Sequence, residues 1–211
     1  MRAAIFDFDG TLFDSMWVWE DIDLVFLSEH GHIPTKEMRM MISDMSVWES
    51  ADFFRRSFGI PLSTEKIVIR FSEIAAARYC DLITPKPGAR EYLELLSDSG
   101  IPMCIATAAS SQNVVAALTR EDMLRFFDFT LTSDDIKTGK TNPEIYLACA
   151  KRFNLPVNEI MVFEDSLHCV KTAKTAGFCV TAVSDRYSIP DKGAIIKIAD
   201  RYIGTWKELI I

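Results

Sequence analysis

Short apolar runs alternate with helix-length segments from residue 85 onward, and this alternation limits the possible folds more than any other feature. Strands separated by single helices form βαβ units and a parallel sheet. Together with the apolar run at residues 2–6, the pattern predicts a doubly wound, Rossmann-like α/β core. The predicted elements are strands at 2–6, 101–106, 160–163 and 178–183, and helices at 89–96, from 111 after the N-cap Ser110, at 143–153 and at 166–176.

A segment with a different periodicity of apolar residues interrupts this core. Between residues 15 and 84 apolar residues recur at helical spacing, and turn signals stand at 31–34 and 59–61. We therefore predict an all-helical cap domain at residues 15–84, inserted into an α/β core domain of residues 1–14 and 85–211. A group of cap side chains is expected to pack between its helices, namely Met38, Met40, Met41, Met45 and Trp48.

Charge and composition exclude several classes of protein. The net charge is −7, whereas a nucleic-acid-binding surface is normally basic, so no nucleic-acid partner is expected. No apolar stretch reaches membrane-spanning length and the N-terminus does not resemble a signal peptide, so no membrane partner is expected. The five cysteines are widely spaced, which suits small buried residues in a reducing compartment. A cytoplasmic protein is predicted.

Polar residues follow three of the predicted strands at the point where each strand ends. Ligands of open α/β sheets bind at the carboxyl ends of the parallel strands, so these residues are expected to lie close together. A lysine in a loop before a helix is expected to join them. The group comprises Asp7 and Asp9, Thr107, Glu164 and Asp165, and the lysine Lys140.

These residue types meet the needs of phosphate-ester cleavage. Asp7 could attack phosphorus as a nucleophile, and Mg²⁺ held by Asp7, Asp165 and a backbone carbonyl would neutralise phosphate charge. Asp9 could return to the same side of an extended chain and act as general acid and base. The Thr107 hydroxyl and the Lys140 ammonium could bind the phosphate.

Four short motifs resemble those of the haloacid dehalogenase superfamily, in the subfamily of β-phosphoglucomutase and phosphoglycolate phosphatase that carries a helical cap. Residues 7–12 match the first motif, Thr107-Ala108 the second, and residues 162–166 the fourth. Lys140 with residues 143–146 matches the third, although Thr141 stands where the family usually has proline. All four motifs occur in the family's order across nearly the whole chain.

The resemblance implies a phosphatase acting on a small phosphorylated metabolite, such as a sugar phosphate, through an aspartyl-phosphate intermediate. It also implies Mg²⁺ as cofactor, a monomer, and a cap that closes over the site and selects the substrate. The implied residues are Asp7 as nucleophile, Asp9 as general acid/base and carbonyl ligand, Thr107, Ala108 and Lys140 at the phosphate, and Glu164 and Asp165 as the acidic metal pair.

Several alternatives stay open. The phosphoglucomutase branch usually carries a Ser-Arg pair within its cap, and here Val47 stands where the arginine would fall, which favours hydrolysis over mutase activity. A receiver-like signalling module would place its acidic pair on the first strand, whereas here the pair lies at 164–165. A non-catalytic protein that binds a phosphometabolite is disfavoured because no candidate catalytic residue is missing. Glu164 and Asp165 could also merely cap the following helix.

Overall fold

The structure is a computed structural model that describes residues 1–35, 37–38, 42, 45 and 47–210. Within these residues the strands are β1 (Ala3–Phe6), β2 (Phe13–Asp14), β3 (Thr84–Pro85), β4 (Met103–Thr107), β5 (Phe129–Thr132), β6 (Ile160–Glu164), β7 (Cys179–Val183) and β8 (Arg201–Ile203). The α-helices are α1 (Trp17–Glu29), α2 (Val47–Ser57), α3 (Thr64–Asp81), α4 (Ala89–Asp98), α5 (Ser111–Arg120), α6 (Ser133–Ile136), α7 (Glu144–Phe153), α8 (Leu167–Thr175) and α9 (Lys192–Ile198). Short 3₁₀ segments are Leu124–Phe126, Val157–Glu159, Arg186–Asp191 and Trp206–Leu209.

Six strands form one sheet in the order β5-β4-β1-β6-β7-β8, and every neighbouring pair is parallel. This confirms the predicted doubly wound α/β core. The chain builds outward from β1 to β5 on one side and then crosses to β6 on the other, so the strand order reverses between β1 and β6. That reversal point is where open α/β sheets bind their ligands.

The central strands are buried along their whole length, as expected for strands covered on both faces. The prediction omitted the edge strands β5 and β8. Three of the four β5 residues are only partly buried and β8 has three residues, so neither contains a long apolar run. Ser110 caps α5 as predicted, and Gly177 follows α8 with φ of 91°. Pro143 is the N-cap of α7 and not its first helical residue, which corrects that boundary by one residue.

Aromatic rings pack beneath the carboxyl edge of β1 and β6. The Phe6 and Phe163 rings stack with their centroids 4.7 Å apart, and the Trp206 indole lies 5.1 Å from Phe163. Tyr92 from α4 packs on the same group, 5.3 Å from Trp206. Phe6 and Phe163 immediately precede Asp7 and Glu164, so this packing holds the two strand ends that carry the acidic residues.

The chain divides into two compact units, one of Met1–Ser15 with Ile83–Ile211 and one of Met16–Leu82. The antiparallel pair β2–β3 lies in the first unit, beside both points where the chain passes between units. Thr84 therefore belongs to a short strand and not to the helical block predicted for 15–84. That the second unit acts as a cap stays a prediction.

The described residues of the second unit contain helices α1, α2 and α3 and no strand. Its core includes the edge-to-face rings of Phe26 and Phe71, 5.0 Å apart, with Phe54 beside them. Met38 is buried as predicted, but the Trp48 side chain is 54% exposed, so its predicted core position is wrong. Trp48 is the second residue of an amphipathic helix and lies on its solvent face. Met40 and Met41 lie outside the described residues, as do Asp44 and Ser46, which belong with Val47 to the stretch compared with the Ser-Arg pair of the phosphoglucomutase branch.

The structure contains no helix in its described part that is both long and apolar enough to cross a membrane.

Candidate active site

Strand register brings the first two acidic residues together. Phe6 of β1 pairs with Phe163 of β6, so the next residue of each strand, Asp7 and Glu164, follows at the same edge. The Asp7 amide continues the ladder by donating to the Phe163 carbonyl at 3.0 Å. Neighbouring parallel strands lie about 4.8 Å apart, which places side chains from their ends within contact range.

Three buried carboxylates form one cluster at this edge. Asp7, Glu164 and Asp165 each offer an oxygen, and these oxygens lie within 4.8 Å of one another. All three residues are at most 7% exposed. Negative charges that lie this close together and are this deeply buried repel one another and destabilise the fold unless cations neutralise them.

Lys140 supplies a cation within the chain. Its ammonium Nζ donates to Asp7 Oδ1 at 2.6 Å and also contacts Glu164 Oε1. The Tyr146 hydroxyl donates to the same Glu164 oxygen at 2.7 Å. Tyr146 is on α7, and Lys140 lies in the loop that leads into this helix, so both approach the cluster from one side. Thr141, which replaces the family's usual proline, accepts a hydrogen bond from Thr172 through its carbonyl.

Hydroxyl groups orient the remaining carboxylate oxygens. Thr11 Oγ1 lies 3.2 Å from Asp7 Oδ2 and 3.5 Å from Asp165 Oδ1, and bridges the two residues. Ser188 Oγ donates to Asp165 Oδ2 at 3.0 Å. By contrast, Glu164 Oε2 is buried and has no hydrogen-bond partner among the residues that the structure describes.

Asp9 lies on a turn and not on an extended chain, which corrects the reasoning that placed it beside Asp7. The amides of Leu12 and Phe13 both donate to the Phe8 carbonyl, so the backbone folds back immediately after Phe8. Gly10 adopts φ of 73° within this turn, a conformation that glycine adopts without steric cost. Asp9 accepts a 2.5 Å hydrogen bond from Ser15 and is not a member of the carboxylate cluster found among the described residues.

Thr107 and Ala108 lie at the end of β4, the neighbour of β1 on its other side. Thr107 is buried, and its hydroxyl accepts a hydrogen bond from the Ala109 amide at 3.0 Å. Ala108 is exposed. The structure thus brings Lys140 into contact with Asp7 and Glu164, places Asp165 in the same carboxylate cluster, and puts Thr107 and Ala108 at the same edge of the sheet.

Comparison with known proteins assigns the chain to a family. A model of haloacid dehalogenase-like hydrolases matches residues 4–183, which is most of the chain. The chain belongs to the haloacid dehalogenase-like hydrolases. This confirms the family and the hydrolase class that the four motifs predicted.

Individual relatives of this hydrolase are distant but cover most or all of its length. It is 28% identical to the phosphorylated carbohydrates phosphatase of Thermotoga maritima, with both chains covered completely. It is 26% identical to the validoxylamine A 7′-phosphate phosphatase of Streptomyces hygroscopicus subsp. limoneus, over 93% of each chain. Among solved structures, a Thermotoga maritima protein provisionally described as a β-phosphoglucomutase superimposes with a TM-score of 0.88 at 28% identity, covering 100% of this chain and 97% of that one.

Burial and mutual repulsion shift the protonation of this hydrolase's site. Burial, followed by the charge of Asp7, raises the pKa of Glu164 to about 7 despite the Lys140 ammonium. Burial and the charges of Asp7 and Glu164 raise the pKa of Asp165 as well. Burial opposes the charged form of Lys140, but Asp7 and Glu164 outweigh it and raise the Lys140 pKa, so the lysine stays cationic.

The Glu164 shift predicts a pH-dependent stability for the metal-free hydrolase. Because the folded pKa of about 7 exceeds the ordinary value of 4.5, the folded state binds this proton more tightly than the unfolded state. The associated stabilisation is full below pH 4.5 and is lost as pH rises through about 7, and it amounts to about 3 kcal/mol. Denaturant unfolding in EDTA from pH 5 to 8 should show this loss in the wild type and a smaller one in Glu164→Gln. If the free energy of unfolding depended on pH equally in the two proteins, the pH dependence could not be assigned to Glu164.

The residues of the cluster fit a hard divalent cation. Its donors are all carboxylate oxygens, which Mg²⁺ prefers, and the unpartnered Glu164 Oε2 is a buried acceptor that a cation would satisfy. Within the described chain, the side chains of Asp7, Glu164 and Asp165 would hold the ion, and the predicted ligand role of the Asp9 carbonyl stays a prediction.

Several residues of the site carried no sequence signal of their own. Neither Ser15 nor Ser188 belongs to a sequence motif, and the fold alone places their hydroxyls on Asp9 and Asp165. Tyr146 lies within the third motif but was not predicted to bond Glu164. A tyrosine six residues after a motif lysine, on the first turn of a helix, is a signal that could have suggested this contact.

Proposed function

We propose that this hydrolase is a Mg²⁺-dependent phosphatase that cleaves the phosphomonoester of a small phosphorylated carbohydrate through an aspartyl phosphate on Asp7. The observation that carries the proposal is the contact of Lys140 with both Asp7 and Glu164 at the reversal point of the sheet. Lys140, together with Mg²⁺ bound at the carboxylates, would bring positive charge to the place where the phosphate must approach, which suits attack by the Asp7 carboxylate on an anion.

The proposed reaction has two steps, transfer of the phosphoryl group to Asp7 and then to water. An Asp7 oxygen attacks phosphorus, the bond from phosphorus to the substrate's oxygen breaks, and Asp9 gives its proton to that leaving oxygen. Water then attacks the aspartyl phosphate, Asp9 takes back a proton, and inorganic phosphate leaves. Bound Mg²⁺ supplies charge neutralisation for the phosphate. Ser15 holds the Asp9 carboxyl in one orientation through the 2.5 Å hydrogen bond.

The relatives support the proposed substrate class. The full-length relative from Thermotoga maritima is a phosphatase of phosphorylated carbohydrates, and the relative from Streptomyces acts on the 7′-phosphate of validoxylamine A. A third relative is hexitol phosphatase B of Escherichia coli. We extend this common substrate class, phosphorylated polyhydroxy compounds, to the present chain.

The test is phosphate release by the purified protein from a panel of hexose, hexitol and glycerol phosphates, with Mg²⁺ and with EDTA. Release from at least one panel member that requires Mg²⁺ is expected. Failure to release phosphate from every member, and from a generic aryl phosphate, would reject the proposal.

A phosphomutase is the second candidate, because the Thermotoga structure at TM-score 0.88 is described as a β-phosphoglucomutase. The two candidates differ in where the phosphoryl group goes. A mutase given a sugar monophosphate and a catalytic amount of the bisphosphate should form the isomer faster than it releases phosphate. We expect the reverse, and Val47, the exposed first residue of α2, offers no charge for a second phosphate.

Tyr146→Phe is expected to weaken Mg²⁺ activation about 10-fold or more while the fold is kept. The change removes the hydroxyl that orients Glu164 Oε1 and leaves the buried ring in place. The measurement is the Mg²⁺ concentration for half-maximal activity. The matched control is Tyr92→Phe, which removes a hydroxyl from another largely buried ring, one that packs on Phe163 and Trp206. An unchanged Mg²⁺ requirement in Tyr146→Phe would show that the hydroxyl does not position Glu164.

A further inference from the structure

Lys86, directly after β3, joins two loops of the first unit through its ammonium group. Nζ contacts Asp185 Oδ2 at 2.8 Å, the Ser184 carbonyl at 2.8 Å and the Gly10 carbonyl. An ammonium has three N–H donors, so these three acceptors match its full capacity. The Lys86 and Asp185 side chains are only 12% and 3% exposed, so the ion pair is largely screened from water.

The first of these loops carries Asp9. Lys86 holds the Gly10 carbonyl through Nζ and the Leu12 carbonyl through its own amide at 2.8 Å. Between them, the Thr11 carbonyl accepts a 3.1 Å hydrogen bond from the Trp206 indole. Three successive carbonyls that follow Asp9 are therefore fixed, two of them by Lys86.

The second loop reaches the metal-binding carboxylates. Asp185 accepts a hydrogen bond from the Tyr187 amide at 2.9 Å through Oδ1 and so caps the 3₁₀ segment Arg186–Asp191. Ser188 of that segment donates to Asp165 Oδ2. The chain of contacts thus runs from Gly10 through Lys86 and Asp185 to the segment that orients Asp165.

We propose that Lys86 and Asp185 are positioning residues. They form a buried ion pair that fixes the position of the loop of Asp9 relative to the segment of Ser188. Beyond the ion pair itself, their hydrogen bonds go to the backbone of the two loops, so their effect on the carboxylate cluster passes through Gly10 and Ser188. The kinetic part of this inference rests on the proposed phosphatase function, whereas the structural part does not.

The test is Lys86→Met compared with Lys174→Met. Lys174 is a matched control because it also joins an aspartate, Asp200, and a backbone carbonyl, that of Phe178, but from the last turn of α8, at the end of the helix away from Asp165. Hydrogen–deuterium exchange should speed up at residues 8–13 and 184–191 together in Lys86→Met and at neither in the control. The turnover number should fall about 10²-fold and the Mg²⁺ requirement should rise, with a smaller change in KM.

Asp185→Asn keeps the proposal testable if Lys86→Met does not fold. It should speed exchange at residues 8–13, a segment that reaches Asp185 through Lys86. Faster exchange at 184–191 alone, or unchanged turnover and Mg²⁺ requirement in a folded Lys86→Met protein, would overturn the inference. If the wild type releases no phosphate, the proposed function fails, while the exchange comparison still decides whether the pair couples the two loops.

Discussion

Asp7→Asn is expected to abolish phosphate release, with a loss of at least about 10³-fold in turnover. The asparagine amide has nearly the shape of the carboxylate but cannot act as a nucleophile at phosphorus. Turnover is measured as phosphate released with Mg²⁺. Acid-quenched wild-type protein incubated with substrate should carry one phosphoryl group on the peptide containing residue 7, and the variant should carry none.

The matched control for this change is Asp200→Asn. Asp200 is also a hydrogen-bonded aspartate of the first unit, where it accepts from Lys174 and from the Val180 amide. The control should lose some stability and keep its turnover. Normal turnover by Asp7→Asn would reject Asp7 as the nucleophile and, with it, the aspartyl-phosphate route.

Lys140→Met should have the second largest effect, both on activity and on stability. Without the ammonium, Asp7 and Glu164 lose the cation that contacts both, and breaking a buried ion pair costs about 3–5 kcal/mol. Loss of a positive group that would face the phosphate should lower turnover roughly 10²-fold or more. Thermal unfolding in EDTA and in Mg²⁺, together with phosphate release, measures the two effects.

The dependence on Mg²⁺ and pH distinguishes this explanation from a simple packing defect. Mg²⁺ at the carboxylates should restore part of the stability that Lys140→Met loses, because the ion replaces the missing positive charge. The loss should be smaller at pH 6 than at pH 8, since the pKa of Glu164 is about 7 and its protonation removes one charge. In Lys174→Met, whose ion pair is partly exposed, the loss should be small and independent of Mg²⁺. If the stability lost in Lys140→Met depended on neither Mg²⁺ nor pH, a charge-neutralising role for Lys140 would be contradicted.

The central elements of the fold were predictable because their sequences contain long buried runs. The strands β1, β4, β6 and β7 lie where periodicity predicted them to within two residues. The edge strand β5 was omitted because a strand that is exposed on one side needs fewer apolar residues. Trp48 was wrongly predicted to be buried for a related reason. Residue type alone does not show whether a large apolar side chain lies on the buried or the exposed face of a helix.

Much of the candidate site was also predictable, because the acids end buried strands and strand ends of a parallel sheet meet at one edge. Asp7, Glu164 and Asp165 were selected on this ground, and they form the carboxylate cluster. The position of Asp9 was argued from the wrong local geometry, since a turn begins at Phe8. The roles of Asp9, Thr107 and Ala108 in the reaction stay predictions that the kinetic experiments address.

The sequence by itself determined the α/β class, the family and the residue types available for chemistry, because these depend on local periodicity and short motifs. Only the tertiary structure decided which side chains meet across large sequence separations. Tyr146 donates to Glu164, Ser188 reaches Asp165, and Lys86 joins Gly10 to Asp185, and none of these contacts was predicted. The physical reason is that such contacts depend on strand order and register, which bring distant loops to one edge and leave no periodic pattern in the chain.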